Sequence, residues 1–283
     1  MFTKLQIMEL FSVIPDSIFN KIFFLYKNRY WPDFTNPQSF NEKINYIKLY
    51  DKNPLRTLVA DRIKVQEYIS KISSKCNLIK ILWSGENFTK DIFSQMPTKF
   101  VIKANHGSGM VQIVDKNKVD FQTVQKKIEG WLEIDYGKIT RQPAYNNIEK
   151  TYIVEEFLDF GLEVIPDYKF MCFNGKVEFI QVDSDRFTEH KRNLYSKNFS
   201  PMNIRYEFNQ GDLISKPNLL TEAISIAEEL SREFDFLRVD LYISDTEIYF
   251  GELTNTPDNG FGRFYPKEFD FQLGKKMFLT SES

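Results

Sequence analysis

Histidine and cysteine are nearly missing from this chain. Its 283 residues include two histidines, His106 and His190, and two cysteines, Cys76 and Cys172. Two isolated imidazoles give a histidine-based metal centre or a Ser-His-Asp triad little raw material. The cysteines lie far apart and form neither a disulfide framework nor a zinc pattern, which suits a reducing cytosol. Positive charge is not in excess either. The chain carries 37 Lys and Arg against 39 Asp and Glu, a net charge of −2, which argues against a dedicated nucleic-acid binder. No apolar run approaches the ~20 residues of a membrane span. The N-terminus has no basic region followed by an apolar core and a small-residue cleavage site. Internal repeats and low-complexity linkers are also lacking. Together these absences predict a cytoplasmic protein.

Apolar material is plentiful: 42% hydrophobic and 16% aromatic residues, 27 of them Phe. That is enough for one large domain or two to three small ones. The aromatic-rich start takes helical spacing from Asp16, a predicted N-cap, through Ile18, Phe19, Ile22, Phe23, Leu25 and Tyr26, with Lys21, Lys27 and Arg29 among them. Two readings compete: a helix packed on the core, or an amphipathic helix touching a partner or the inner face of a membrane. Ser39 with Glu42 three residues on is a capping box, followed by Ile44, Ile47 and Leu49. Leu58 to Ser70 is the next helical stretch, with Arg62 and Lys64 as a solvated charge pair in its first half. Leu78 to Trp83 and Phe100 to Lys103 read as strands.

Lys103 runs straight into Ala104-Asn105-His106-Gly107-Ser108-Gly109-Met110, and a strand resumes at Val111. Glycines let backbone amides approach an anion closely, and Lys103 adds a point charge. The loop is neither a Walker pattern nor a dinucleotide fingerprint, and a plain flexible turn is the competing reading. Tyr136 to Ile148 is polar and irregular, with Arg141 and Tyr145 as possible substrate contacts. Tyr152 to Leu158 reads as a strand. Tyr168 to Phe173 and Lys176 to Val182 are strands joined by Asn174-Gly175, a strong hairpin signal. Asp167 and Lys169, two apart, share a face. Arg186, His190, Lys191 and Arg192 make a basic loop, for an acidic substrate or simply for solvent. Thr221 to Phe234 is an amphipathic helix.

The stretch from Phe236 to Gly262 reads as a hairpin, with apolar runs Leu237 to Ile243 and Ile248 to Leu253. Arg238 and Asp240 enter one strand, and Glu252, Thr254 and Asn255 leave the other. Carboxylates and an amide oxygen are hard donors that suit Mg²⁺ shared with phosphates. An adjacent guanidinium neutralises charge the metal does not reach. A two-residue loop puts Asp240 and Glu252 on opposite faces, whereas a three- or five-residue loop makes them face each other. Both registers give sensible apolar faces, so periodicity leaves the register open. An ordinary hairpin with charged, solvated ends is the plainer alternative.

Five segments in this order resemble the TupA-like ATP-grasp family, within the ATP-grasp superfamily, known from bacterial surface-polysaccharide genes. They are Ser-Phe-Asn-Glu-Lys-Ile (39 to 44), Phe-Val-Ile-Lys-Ala-Asn-His-Gly-Ser-Gly (100 to 109), Glu-Glu-Phe-Leu (155 to 158), Asp-Tyr-Lys-Phe-Met-Cys-Phe-Asn-Gly-Lys (167 to 176), and Arg-Val-Asp-Leu-Tyr with Phe-Gly-Glu-Leu-Thr (238 to 242, 250 to 254). The resemblance covers roughly residues 37 to 274. It implies an α+β, ATP-grasp fold: two α+β subdomains gripping ATP, with a helical N-terminal extension. The expected divisions are residues 1–75, 76–158 with the glycine loop, and 159–283 with the metal site. Lys103 would contact the α- and β-phosphates, and Asn105, His106, Gly107, Ser108 and Gly109 would close on the γ-phosphate. Glu155, Glu156, Phe157 and Leu158 would read adenine, with backbone groups of Glu156 and Leu158 on the base edge. Glu163 would hold the ribose and Lys169 would be the second phosphate lysine. Asp240, Glu252 and Asn255 would hold Mg²⁺, with Arg238 at the transferred phosphate. Many ATP-grasp proteins carry Asn two residues after the metal Glu. Here Thr254 stands there, so Asn255 serves through a bulge or the second metal is held weakly.

The resemblance implies an ATP- and Mg²⁺-dependent carboxylate–amine ligase working through an acyl phosphate. Its substrates would be a small molecule or saccharide, an amino acid or amine joined to a sugar acid. Such chemistry needs positioned charge rather than a protein nucleophile, in keeping with the scarcity of histidine. The alternatives are a small-molecule or sugar kinase, an inactive binding module, or a glycosyltransferase using Asp183-Ser184-Asp185.

Overall fold

The computed structural model describes residues 14–160, 166–184 and 189–280. Glu163 and Arg186 lie outside the described residues. The described residues open on four helices, α1 (Asp16–Asn28), α2 (Phe40–Tyr50), α3 (Leu55–Ala60) and α4 (Lys64–Ile72). Pro15, not Asp16, stands at the cap position of α1, and Asp16 is the first helical residue. α2 starts at the expected capping box. The Glu42 amide donates to Ser39 Oγ at 3.2 Å, and Glu42 Oε2 accepts from the Ser39 amide at 2.9 Å.

A four-stranded antiparallel sheet follows, built from β1 (Ile81–Gly85), β2 (Lys99–Ala104), β3 (Val111–Asp115) and β4 (Tyr152–Glu156) in the order β1-β4-β2-β3. Helices α5 (Lys90–Gln95) and α6 (Phe121–Ile128) pack on one face, where Phe88, Phe100, Ile102, Val124, Ile128 and Val154 form a core. By strand alternation Lys103, Ile153 and Glu155 point to the opposite face. Ile153 and Glu155 are buried there, but Val111 and Ile113 of β3 on the same face are 47% and 46% exposed, so the face is covered at β4 and open at β3. A short helix, α7 (Tyr136–Thr140), occupies the stretch expected to be irregular.

The second sheet has six antiparallel strands in the order β11-β10-β5-β6-β7-β8. They are β5 (Asp167–Phe173), β6 (Lys176–Ser184), β7 (Lys191–Ser196), β8 (Pro201–Met202), β10 (Phe236–Ile243) and β11 (Ile248–Thr254). The Asn174-Gly175 turn between β5 and β6 has φ 47° and 75°, the left-handed pair such tight hairpins require. The basic loop expected up to Arg192 is shorter than that, because β7 begins at Lys191. One face of the sheet is apolar across its central strands. Phe170, Ile180, Val182, Leu237, Val239 and Leu241 pack there against α8 (Leu220–Ser231) and against Val65, Tyr68 and Ile69 of α4.

The other face is divided along the strands. At one end Met171, Phe173, Phe179, Leu194 and Phe236 lie under Phe40, Ile44 and Ile47 of α2. Leu273 of α9 (Glu268–Lys276) joins the same cluster, as does the small ribbon of β9 (Arg205–Tyr206) with β12 (Phe264–Tyr265). At the other end the inward positions are charged or polar: Arg238 and Asp240 on β10, Asp167 and Lys169 on β5, Gln181 and Asp183 on β6, and Arg192 on β7. The N-terminal helices pack directly on the large sheet. They cover both faces of the large sheet and leave its charged end as the floor of a site.

The register left open by periodicity is resolved by a bulge. At the hairpin tip Ser244 N–H donates to the Glu247 carbonyl, and Ile243, Tyr242 and Leu241 pair with Ile248, Tyr249 and Phe250. This is the two-residue-loop register, which by itself would put Asp240 and Glu252 on opposite faces. Gly251 is then passed over, and Asp240 pairs with Glu252. The extra residue moves the end of β11 by one position and so turns both carboxylates to the same face. A Cβ on Gly251 would stand 3.0 Å from the Asp240 carbonyl oxygen. Gly251→Val is therefore expected to destabilise the protein by roughly 1–3 kcal/mol, read as a lower denaturation midpoint.

Candidate active site

The charged end of the large sheet is a network of paired groups. Lys169 Nζ donates to Asp240 Oδ2 at 2.9 Å and also binds Asp167. Arg238 grips Asp240 with Nε at 2.7 Å and Nη2 at 2.8 Å, and reaches Glu252 Oε1 at 2.6 Å. Thr254 Oγ1 donates to the same Glu252 oxygen at 2.9 Å. Burial pushes the Asp240 carboxyl up to about 6, against the pull of Arg238 and Lys169 and with help from Asp167 and Glu252. Glu252 goes the other way. Burial would raise it, but Arg238, Arg62 and Lys169 hold it down at about 2. Lys169 is desolvated, yet Asp167 and Asp240 keep its pKa above the usual lysine value.

The small sheet reaches this network through Arg62, at the junction of α3 and α4. Arg62 Nη1 donates to the carbonyls of Ala104, at 2.9 Å, and Gly107, and Nη2 lies 3.8 Å from Glu252 Oε2. One guanidinium thus holds the glycine loop over the acidic end of the hairpin. Tyr136 supports the loop from the other side. Burial raises the Tyr136 pKa, and nearby Gln142 and Ser108 pull against that rise. A Cβ on Gly107 would come within 2.7 Å of the Tyr136 ring, so the ring can lie on the backbone only because position 107 is glycine. Tyr145 stands edge-on to Tyr136, with ring centroids 5.0 Å apart. Sequence spacing marked Arg62 only as a solvated charge, and nothing local to it signals the loop it holds.

The other expected residues fall out as follows. Lys103 is bonded to Glu155 Oε2 at 2.5 Å, so both lie on the partly covered face of the small sheet. Asn105 is a fastening of the loop base. Its amide donates to the Glu149 carbonyl at 2.8 Å and accepts from the Thr151 amide at 2.9 Å. The His106 ring is buried, and burial together with nearby Lys150 lowers its pKa, so it is neutral. Ser108 and Gly109 form the exposed tip, with Gly109 at φ 80°. The Glu156 amide donates to the Lys80 carbonyl at 3.0 Å. Phe157 lies under the Lys99 ammonium at 5.6 Å, and Leu158 is half-buried beyond the end of β4. Asn255 departs from the expectation that it completes a metal set. Its Oδ1 accepts from Arg56 Nη1 at 3.2 Å and its Nδ2 donates to the Arg56 carbonyl at 2.9 Å, leaving neither end turned to Glu252. Arg141 is turned away as well, onto Asp16 at 2.9 Å and the Phe19 ring.

A second ionic cluster continues the same face. Arg192 binds Asp183 through Nε at 2.7 Å and Asp258 through Nη1 at 3.1 Å. Gln181 donates to both Asp183 oxygens. Burial would raise Asp183, but Arg192 holds it down at about 2. An aspartate fixed in this way is not free to act in a nucleotide-sugar metal pair. Asp185 lies outside the described residues.

Asp240 and Glu252 face each other on adjacent strands, and the Glu252 side chain is 37% exposed. Among the described residues no group of three or more His, Cys, Asp or Glu gathers. Glu252 is open to a Mg²⁺ ion, which keeps waters and phosphate oxygens in its shell. Asp240 has both oxygens on Arg238 and Lys169, so it can join Glu252 on the cation only by releasing one of them, as Asn255 would have to release Arg56.

Two antiparallel sheets, a glycine loop on the smaller and an Arg-Asp-Glu hairpin on the larger, define the ATP-grasp class. A family model, TupA-like ATPgrasp, matches residues 42–278. The chain belongs to the TupA-like ATP-grasp family. Its fold is similar to that of D-alanine–D-alanine ligase from Bacillus anthracis complexed with ATP, at 13% identity and a TM-score of 0.41, covering 70% of this chain and 54% of that one. The D-alanine–D-alanine ligase of Helicobacter pylori gives 11% and 0.43, covering 78% and 62%. The N5-carboxyaminoimidazole synthase of Aspergillus clavatus, in complex with ADP and 5-aminoimidazole ribonucleotide, gives 11% and 0.41, covering 71% and 45%. The chain thus spans about half the length of these structures, and the classification rests on the family match. A search of curated protein sequences returns no match.

Arg62→Ala is expected to release the glycine loop. Charged hydrogen bonds of this kind are worth roughly 1.5–3 kcal/mol each, so nucleotide affinity should fall by at least about tenfold. Amide hydrogen exchange over residues 105–109 should speed up while exchange in β10 stays unchanged.

Proposed function

We propose that this protein is an ATP- and Mg²⁺-dependent carboxylate–amine ligase, with ATP lying between the two sheets. The observation that carries this reading is the continuous chain of contacts from Lys169 through Asp240, Arg238 and Glu252 to Arg62 and the glycine loop. It ties the glycine loop to the acidic end of the hairpin. Lys103 and Lys169 bind phosphate oxygens, and Arg238 stabilises the phosphoryl group in transfer. Asp240 and Glu252 hold Mg²⁺, which supplies neutralisation of the triphosphate charge.

The substrate carboxylate attacks the γ-phosphorus and ADP leaves, giving an acyl phosphate. The amine nitrogen then attacks the acyl carbon, phosphate leaves, and the nitrogen loses its proton. The protein's part is to fix charges in a dry cleft and close the loop over the reacting groups. The family points further, to an amino acid or amine joined to a sugar acid in capsule or O-antigen assembly, in the cytoplasm.

The test is ADP release from ATP with candidate acids and amines. Release should require both partners and Mg²⁺, and Lys169→Met or Asp240→Asn should lower kcat by roughly a hundredfold or more. A stable phosphorylated product formed without any amine would select a kinase. The absence of both ADP release and a nucleotide-dependent thermal shift would overturn the reading.

A further inference from the structure

Helix α1 is apolar on both sides. Its inner side is accounted for. Phe19 and Phe24 are buried, Phe23 packs edge-on to Phe261 at 4.9 Å, and Asn20 accepts from Lys48 at 3.0 Å. The outer side of a surface helix is ordinarily polar. Here it carries Ile18, Ile22, Leu25 and Tyr26, which are 49%, 51%, 40% and 63% exposed, at spacings of four, seven and eight residues. Trp31, just past the end of the helix, is 59% exposed. Scattered exposed apolar residues are ordinary, but a contiguous stripe of this kind marks a surface that something else covers.

The charges around the stripe indicate what covers it. The chain as a whole has a net charge of −2, but α1 and its C-cap carry Lys21, Lys27 and Arg29 against one acid, Asp16. Asp16 is held by Arg141 at 2.9 Å. Lys267 adds a further cation, with its ammonium 4.0 Å from the Tyr30 ring. Two other acids lie nearby, which leaves Lys21, Arg29 and Lys267 as the larger part of the excess. Glu207 pairs with Lys27 and Arg263 at 3.6 Å each, and Asp33 accepts turn bonds from Thr35 and Asn36. Aliphatic side chains flanked by Trp and Tyr and rimmed by Lys and Arg are the composition of a helix lying in a membrane interface. A second copy is disfavoured, because a two-fold pairing of this face would set like cations against one another.

We infer that the outer face of α1, with Trp31, docks on an anionic lipid surface, with its apolar stripe in the headgroup boundary and its cations on the lipid phosphates. The inference stands apart from the ligase reading, since it uses no residue of the cleft.

The test is flotation of the full chain with phosphatidylcholine vesicles, with and without phosphatidylglycerol. The protein should float with the anionic vesicles and not with the neutral ones, and added salt should weaken the binding. Ile22→Glu and Leu25→Glu, both at exposed positions, should each cut binding by roughly tenfold or more while leaving the thermal melt unchanged. Failure to float at low salt would overturn the inference, including the case in which residues 1–13 cover the stripe. So would equal binding by the variants, or a concentration-dependent dimer that Ile22→Glu dissolves.

Discussion

Asp240 is buried, and a buried carboxylate survives as an anion only when cations and hydrogen bonds replace its water. Both of its oxygens are met: one by Arg238, the other by Arg238 and Lys169. Lys169 in turn is shared with Asp167, and Arg238 with Glu252. No member of this set can be removed without stranding a charge in the sheet, an arrangement that typically costs several kcal/mol. The set therefore fixes which strands lie side by side and in what register. It also leaves Glu252, the most open of these groups, facing the loop held by Arg62.

Around that network the fold acts as a cover with one opening. Helices α4 and α8 close the apolar face of the large sheet, and α2 and α9 close the apolar half of the other face. The N-terminal helices also deliver two arginines of opposite use. Arg56 turns inward to Asp51, the Phe236 carbonyl and Asn255, tying the base of the hairpin to the helical region. Arg62 turns to the glycine loop and Glu252. The region before residue 75 is thus part of the frame of the site.

The sequence made some of this legible and hid the rest for physical reasons. The capping box at Ser39, the Asn174-Gly175 turn and the Arg238-Asp240-Glu252 hairpin depend on neighbours a few residues away, so local chemistry specifies them. The hairpin register does not depend on local pattern in that way. Gly251 looks like any glycine in a strand, and only its bulge puts Glu252 opposite Asp240. Asn255 is diverted by Arg56, 199 positions earlier, and Arg62 is given its role by a loop 42 to 45 positions later. Long-range partners of this kind leave no periodicity to read. The helix at Asp16 was legible as a helix, but its two apolar sides became distinguishable only once one of them was buried.

A crystal structure of the protein with Mg²⁺ and a non-hydrolysable ATP analogue tests the central claim most directly. The account predicts the triphosphate between the glycine loop and the large sheet, with Lys103, Lys169 and Arg238 on its oxygens. The cation should rest on Asp240 and Glu252, with Asn255 still bonded to Arg56. A nucleotide bound away from the charged end of the large sheet, with Lys169 and Glu252 untouched, would contradict it.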